Sequence, residues 1–195
     1  MKKDINQRHD QISDQDPEAI LRELFLEILC ASNSTGRGRE PSEAKAVIGF
    51  FGSLGNPIPV NGPLGERNYL AKLRGETGHP VMFHRKGSNF SSAVSTPVDT
   101  FEVVCLDGTQ WTQLTLWPYH QSQSSHAPDG FSFISRDPNM EGEDLDCFGT
   151  TCFLPNFPHS LPQTIRLELP TDYGERLASV VENALLRHSF ERGGG

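Results

Sequence analysis

The sequence lacks long apolar runs. No stretch reaches the roughly 18 consecutive apolar residues that a membrane-spanning helix needs, because Glu, Gly or Pro interrupts each one. The lysines at positions 2 and 3 are not followed by the apolar segment of about 7 to 15 residues that a signal peptide contains. Four cysteines are too few for a disulfide scaffold in 195 residues. We therefore expect a soluble, cytoplasmic protein with reduced thiols and no membrane partner.

Positive charge is also scarce. The chain has 17 Lys and Arg against 25 Asp and Glu, which gives a formal net charge of −8. A protein that binds mainly phosphate backbones usually carries the opposite excess. The basic residues between Arg67 and Lys86 are interleaved with Tyr69 and Phe83, a weak nucleic-acid signal. The overall composition argues against a nucleic-acid partner.

Short catalytic signatures are missing as well. The sequence has no G-x-x-x-x-G-K-[ST] or G-x-G-x-x-G phosphate loop, no H-E-x-x-H or C-x-x-C pattern and no G-x-S-x-G motif. The glycines at positions 49, 52 and 55 follow a predicted helix, whereas a phosphate cradle follows a strand. We interpret them as a helix end and predict no cofactor.

Apolar residues are nevertheless numerous enough for one core. Leu, Ile, Val and Phe make up about a quarter of the chain, above the roughly one fifth below which chains remain disordered. The length suits one domain. We assign residues 16–191 to a single α+β domain, and residues 1–15 and 192–195 to disordered tails.

Helical spacing dominates the first part of the chain. A helix is predicted over residues 16–31, where Asp16 is a capping residue and Pro17 suits the first helical position. A second helix is predicted from residue 41 to about 51, and a third from residue 63 to 75. These are the N-terminal helices of the expected fold.

From residue 79 the apolar period changes to two, which indicates strands. Residues 80–85 are one predicted strand. The strongest signal is a β-hairpin at about 98–117 around Asp107-Gly108, which favours a type I′ turn. Trp111 and Trp117 share one face of this hairpin. Both faces are apolar, so we place the hairpin centrally in an antiparallel sheet.

The C-terminal third continues with strands and ends with a helix. Residues 131–134 and 165–169 have the alternation of strands. A helix begins at Thr171 or Asp172, where Glu175 can close a capping box, and runs to about residue 190. Helices first, strands next and a helix last indicate an α+β fold, with the C-terminal helix packed on the sheet.

Four residues at predicted strand ends are our candidate site. His84 and His120 are the candidate catalytic residues, because imidazole carries protons near neutral pH. Arg85 and Tyr119 are the candidate ligand-binding residues, with the guanidinium suited to a small anion. The alternative interpretation is that all four are ordinary polar residues where strands leave the core.

Two segments resemble metal sites only in part. Cys147 and Cys152, with His120 and His126, supply zinc ligand types, but buried thiols are the commoner role for such cysteines. The acidic segment 137–146 begins like a calcium loop, yet phenylalanine occupies the position of the bidentate glutamate. We therefore predict no bound metal.

Two functions follow from these observations. The first is a non-catalytic interaction or regulatory protein with a protein partner, suggested by the absent motifs and the long polar loops at 118–130 and 135–162. The alternative is an enzyme, a hydrolase or transferase, that acts on a small anionic substrate through His84, Arg85 and His120.

Overall fold

The structure is a computed structural model that describes residues 48–134 and 145–190. The predicted helix at 16–31 and both predicted tails lie outside these residues. The calcium-like acidic segment 137–146 also lies outside them, except for its last two residues. Within the described ranges, no helix is long and apolar enough to cross a membrane.

The described residues form three helices and seven strands. The helices are α1 (Gly62–Lys72), α2 (Leu161–Glu168) and α3 (Asp172–Arg187). The strands are β1 (Ile58–Pro59), β2 (Leu73–Gly75), β3 (Val81–Phe90), β4 (Pro97–Cys105), β5 (Trp111–Trp117), β6 (Phe131–Phe133) and β7 (Phe148–Thr150).

The main sheet has the strand order β1-β5-β4-β3-β7. Its middle strands β3, β4 and β5 are antiparallel, as predicted. Its outer strands are parallel to their neighbours, β1 to β5 and β7 to β3. The sheet is therefore mixed. Parallel neighbours need long connections, and the connections to these short outer strands are long. Strands β2 and β6 form a separate antiparallel pair.

The β4–β5 hairpin has the predicted register, with Phe101 opposite Leu114 and Val104 opposite Trp111. The predicted type I′ turn is wrong. Only Gly108 of the central pair has a positive φ, 74°, and its N–H donates to the Cys105 carbonyl at 2.8 Å. A type I′ turn requires positive φ at both central residues.

Apolar clusters cover both faces of the sheet. On one face, α1 contributes Tyr69 and Leu70 to a cluster that contains Phe101 and Leu114. On the other face, α2 and α3 pack against the sheet through a second cluster. Its members include Met82, Val104, Leu161, Leu177 and Val181. Burial of each such side chain contributes about 1.5 to 3 kcal/mol to stability. Because both faces are covered, the central position of the hairpin and the packing of the C-terminal helix on the sheet are confirmed.

Residues 165–169 are not a strand, because the chain is already helical from Leu161 to Glu168. Leu161 and Ile165, one helical turn apart, are buried, whereas Leu167 is exposed. Five alternating residues fit a strand and a helix almost equally well, and Pro162 near the helix start favours the helix.

The last predicted residues of two further helices are not helical, and residues 41–47 of the second predicted helix lie outside the described residues. Residues 48–51 of the second predicted helix form bends and a turn, and Gly49 and Gly52 have φ of 100° and 96°. The third helix is confirmed as α1, but it stops at Lys72, before β2.

Helix α3 begins where the Thr171 side chain accepts a hydrogen bond from the Gly174 N–H at 3.3 Å. With Thr171 as the cap, Glu175 falls one position too late for a capping box. Glu175 instead bonds Arg166 of α2, at 2.8 and 2.9 Å. Arg166 also bonds Glu182 at 2.7 and 2.9 Å, so one guanidinium joins α2 to two turns of α3.

Candidate functional site

Consecutive residues of β3 carry the two best site candidates, His84 and Arg85. Successive side chains of a strand point to opposite faces of the sheet. His84 therefore faces the α2–α3 layer and Arg85 faces the α1 layer. The two side chains do not share a site, although they are neighbours in the sequence.

His84 lies in the core with 1% of its surface exposed. Its Nδ1 accepts a hydrogen bond from the Leu154 N–H at 3.1 Å, and its Nε2 lies 2.9 Å from Glu102 Oε2. Because Nδ1 accepts, the ring proton is on Nε2, which donates to Glu102. The ring also packs against Phe157, with centroids 4.5 Å apart.

Glu102 extends this network to a third strand, since its Oε1 accepts from the Trp111 Nε1–H at 3.0 Å. The network thus joins β3, β4, β5 and the segment after β7. Both ring nitrogens of His84 are already in use, which leaves neither free to bind a ligand. The geometry suits a structural connection better than acid–base chemistry.

Arg85 begins a second polar cluster on the opposite face. Its Nη2 lies 2.7 Å from Asp99 Oδ1 on β4. The Ser88 hydroxyl donates to the same oxygen at 2.7 Å and also contacts the Arg85 guanidinium. About a third of the Arg85 side chain, 34%, is exposed. Its charge is therefore already paired with an acid at the surface.

Glu66 of α1 belongs to the same cluster, on the face of the sheet that α1 covers. It is only 2% exposed, and the charges that act on its carboxyl are those of Asp99 and Arg85. Burial, and then the Asp99 charge, raise the pKa of Glu66 to about 9. Within the described residues, Glu66 Oε1 and Arg85 Nε are buried and have no hydrogen-bond partner.

Sequence reasoning missed Glu66 and Asp99. A signal for Glu66 was present, because it lies three and four residues before the apolar Tyr69 and Leu70, on the buried stripe of the predicted third helix. A charged residue on such a stripe needs a polar partner. The identity of that partner, on a strand more than thirty residues away, was not readable from the pattern.

Tyr119 and His120 lie apart from both clusters. Tyr119 is exposed and forms a backbone bridge with Asn61. The His120 ring packs on Trp117, with centroids 4.9 Å apart, and its Nδ1 accepts from the Ser122 N–H at 3.1 Å. The contacts of the described residues join neither of them to His84 or Arg85. The four expected residues thus occupy three separate places.

The two cysteines proposed as alternative zinc ligands differ in their surroundings. Cys147 is buried and its sulfur accepts from the Arg67 Nε–H at 3.2 Å; burial raises the pKa of this thiol. Cys152 is exposed. In the part of the chain that the structure describes, no three His, Cys, Asp or Glu side chains are grouped as for a metal ion.

The outer edge of β3 is the remaining candidate surface. Strand β7 pairs with β3 only from Met82 to His84, and the Arg85 N–H then donates to the Cys152 carbonyl at 3.2 Å. From residue 86 to 90, β4 is the strand's one partner among the described residues. We call residues 86–90 the β3 edge.

The β3 edge is open to solvent. Four of its five residues are exposed, and Phe90 is 82% exposed. The next residue, Ser91, donates its hydroxyl to the Leu54 carbonyl at 2.5 Å, which places the exposed Leu54 segment beside the end of the strand. A β-bulge between Arg85 and Gly87 bends the start of the edge.

Comparisons with protein-family models, curated proteins and solved structures find no match to this chain. The two polar clusters, around His84 and around Arg85, and the β3 edge are therefore the features that bear on function.

Proposed function

We propose that the protein is a non-catalytic interaction module that binds an extended segment of a partner protein along the β3 edge. One observation carries the proposal. This stretch of strand is exposed, has only β4 as a strand partner among the described residues, and ends in the 82% exposed Phe90.

An open strand edge presents backbone N–H and C=O groups in a row. A partner segment can add itself as another strand, with main-chain hydrogen bonds supplying affinity and alternate side chains supplying specificity. Isolated exposed apolar residues are ordinary on protein surfaces, but here the exposed Leu54 is hydrogen-bonded through its carbonyl to Ser91, the residue after the exposed Phe90. The partner is therefore expected to place an apolar side chain over them.

Charge indicates a second feature of the partner. Lys86 is exposed and has no ion-pair partner among the described residues, whereas the neighbouring Arg85 is paired with Asp99. The chain as a whole carries a net charge of −8, so Lys86 places a positive charge at the β3 edge of an acidic protein. A partner segment with an acidic residue near Lys86 would complement it.

The bulge and Lys86 also restrict pairing. Lysine on an edge strand and a bulge beside it are means by which proteins prevent indiscriminate strand addition. A segment that pairs here must accommodate both, which favours one acidic class of partner over general self-association.

The enzymatic alternative, with His84, Arg85 and His120 acting on a small anion, receives less support from the geometry. Both His84 nitrogens are occupied, and the described contacts do not bring His120 to Arg85. Catalysis by these residues would require a different arrangement of the strand.

The test is selection of a phage-displayed library of random nonapeptides on the immobilised full chain. We expect enrichment of proline-free sequences that combine an acidic residue with apolar residues at alternate positions. Binding of the enriched peptides, measured by fluorescence anisotropy, should fall at least about tenfold in Lys86→Glu and in Phe90→Ser.

Leu186→Ser is the matched control, because Leu186 is as exposed as Phe90, at 85%, and lies on α3 far along the chain. It should bind the peptides like the wild type. The proposal is wrong if no peptide is enriched, if enriched peptides bind Lys86→Glu and Phe90→Ser unchanged, or if inserting proline into a peptide leaves its affinity intact.

A further inference from the structure

His84 is a buried titratable side chain that the proposed interaction does not use. Its two ring nitrogens serve two different connections. Nδ1 accepts from the Leu154 N–H at 3.1 Å, and Nε2 lies 2.9 Å from Glu102 Oε2. An imidazole can keep both connections only while it is neutral, because the protonated ring has a donor on each nitrogen. The two connections therefore respond differently to acid.

The bond to Leu154 is the one that a proton removes. A proton added at Nδ1 faces the Leu154 N–H, so that two buried donors point at each other and their hydrogen bond is lost. The proton on Nε2 still donates to Glu102, and this bond becomes stronger when the ring is charged. Acid thus breaks the contact with Leu154 and keeps the contact with β4.

Residues 151–154, which follow β7, are the part of the chain that depends on the Leu154 bond. Among the described contacts, two of their backbone groups bond β3. The Cys152 carbonyl accepts from the Arg85 N–H at 3.2 Å, and the Leu154 N–H donates to the imidazole. The β3–β7 ladder itself ends at His84. A segment held by so few bonds is expected to separate when one of them is lost.

The groups packed around the imidazole leave it close to solvent. Phe153, 64% exposed, lies over the ring with centroids 5.6 Å apart, and Phe157 joins the ring to the apolar cluster of α2 and α3. Two carboxylates are nearby: Glu102 of β4 contacts the ring, and Glu168 of α2 accepts from Thr150, its neighbour in the β3–β7 ladder. Their negative charge favours a protonated ring, whereas burial opposes it.

We propose that His84 is an acid-sensitive clasp for residues 151–154. At neutral pH the ring holds the Leu154 N–H. When a proton from solvent binds Nδ1, the segment separates from β3, while the bond to Glu102 keeps the strands together. The Arg85 N–H then becomes available next to the β3 edge. This inference does not depend on the proposed binding function.

The test is amide hydrogen exchange of the full chain, measured by NMR between about pH 8 and pH 5, the range in which imidazoles ordinarily take up a proton. Protection factors of the Leu154 and Arg85 amides should fall about tenfold toward acid, the loss expected for one hydrogen bond. The 15N shift of His84 Nδ1 should change to that of a protonated nitrogen over the same pH range. The Val60 N–H, which bonds the Trp117 carbonyl at 3.0 Å on the β1 side of the sheet, should keep its protection.

Two substitutions separate the two connections of the ring. His84→Asn places an amide oxygen that does not titrate near the position of Nδ1, so the protection of Leu154 should stay constant with pH. His84→Gln places an amide near the position of Nε2 and leaves no acceptor at Nδ1, so Leu154 should be weakly protected throughout. His159→Asn removes an exposed imidazole after the segment and is the matched control, which should respond like the wild type.

The measurement on the wild type decides the proposal even if neither His84 variant folds. A Leu154 amide that keeps its protection at pH 5, with or without a proton on Nδ1, would overturn the proposal. An equal loss of protection at Val60 would also overturn it, because the acid effect would then be general unfolding. The same holds if folded His84→Asn shows the acid response of the wild type.

Discussion

At the scale of single residues, a backbone amide decides which ring nitrogen of His84 carries the proton. The Leu154 N–H requires a lone pair on Nδ1, so the proton is held on Nε2 and directed at Glu102. The same residue type at position 120 lies against Trp117 at the edge of the fold. The two histidines predicted as catalytic residues therefore lie in different surroundings.

We predict that His84→Ala destabilises the protein by about 3 to 5 kcal/mol, because it removes the Nε2–H donor from Glu102 Oε2 and leaves the buried Leu154 N–H without its acceptor. The measurement is urea unfolding followed by circular dichroism. His159→Ala, at an exposed position, is the control and should be close to neutral. A wild-type midpoint for His84→Ala would contradict the buried network.

Part of this arrangement was readable from the sequence. The strand at 80–85 was predicted, and its alternation already required His84 and Arg85 to face opposite ways. A shared site was therefore inconsistent with the predicted strand. The partners Glu102 and Asp99 lie on another strand, and their pairing depends on a bulged register that no local pattern encodes.

At the scale of elements, long periodic segments were predicted well and short ones poorly. The β4–β5 hairpin and α3 each span many residues with one consistent period. Strands β1 and β7 have two and three residues, too few for any period to be read. Their place in the sheet is decided by tertiary packing.

The connection between α2 and α3 gives a prediction on pH. Hydrogen bonds from Arg166 lower the pKa of both Glu175 and Glu182, so their contribution is present at neutral pH and is lost as glutamates protonate. Arg166→Gln should lower the Tm at pH 7, and the difference from wild type should shrink toward pH 3 and in high salt. Arg176→Gln, which removes one 3.3 Å ion pair with Asp146 and a cation–π contact with Tyr173, should have a smaller effect; equal effects would contradict this account.

The contact between β3 and β7 depends on a glycine. A Cβ at Gly149 would lie about 2.5 Å from the Phe83 ring, so Gly149→Ala should cost about 1 to 3 kcal/mol through overpacking. Gly65→Ala is the matched control, because the nearest atom there is 3.5 Å away and the residue is helical. That control should be neutral or stabilising by up to about 1 kcal/mol. Chemical denaturation of both variants tests the pair, and similar midpoints would show that β7 is misplaced.

At the scale of the whole molecule, we predict that stability does not depend on a metal. The Cys147 sulfur is buried against Arg67, whereas Cys152 is exposed, so the two do not share surroundings suited to zinc. Elemental analysis should find less than one equivalent of zinc, and EDTA should leave the Tm unchanged. A stoichiometric metal that is absent from the Cys147→Ser, Cys152→Ser double variant would contradict this prediction.

The parallel pairing at both sides of the sheet has a consequence for folding kinetics. Strands β3, β4 and β5 are joined by short connections and can zip together early, whereas β1 and β7 must each find partners far along the chain. Such long-range closures are entropically slow. We therefore expect the antiparallel strands to be formed in the folding transition state and the two flanking strands to be added afterwards. A substitution at Gly149 should then accelerate unfolding far more than it slows folding.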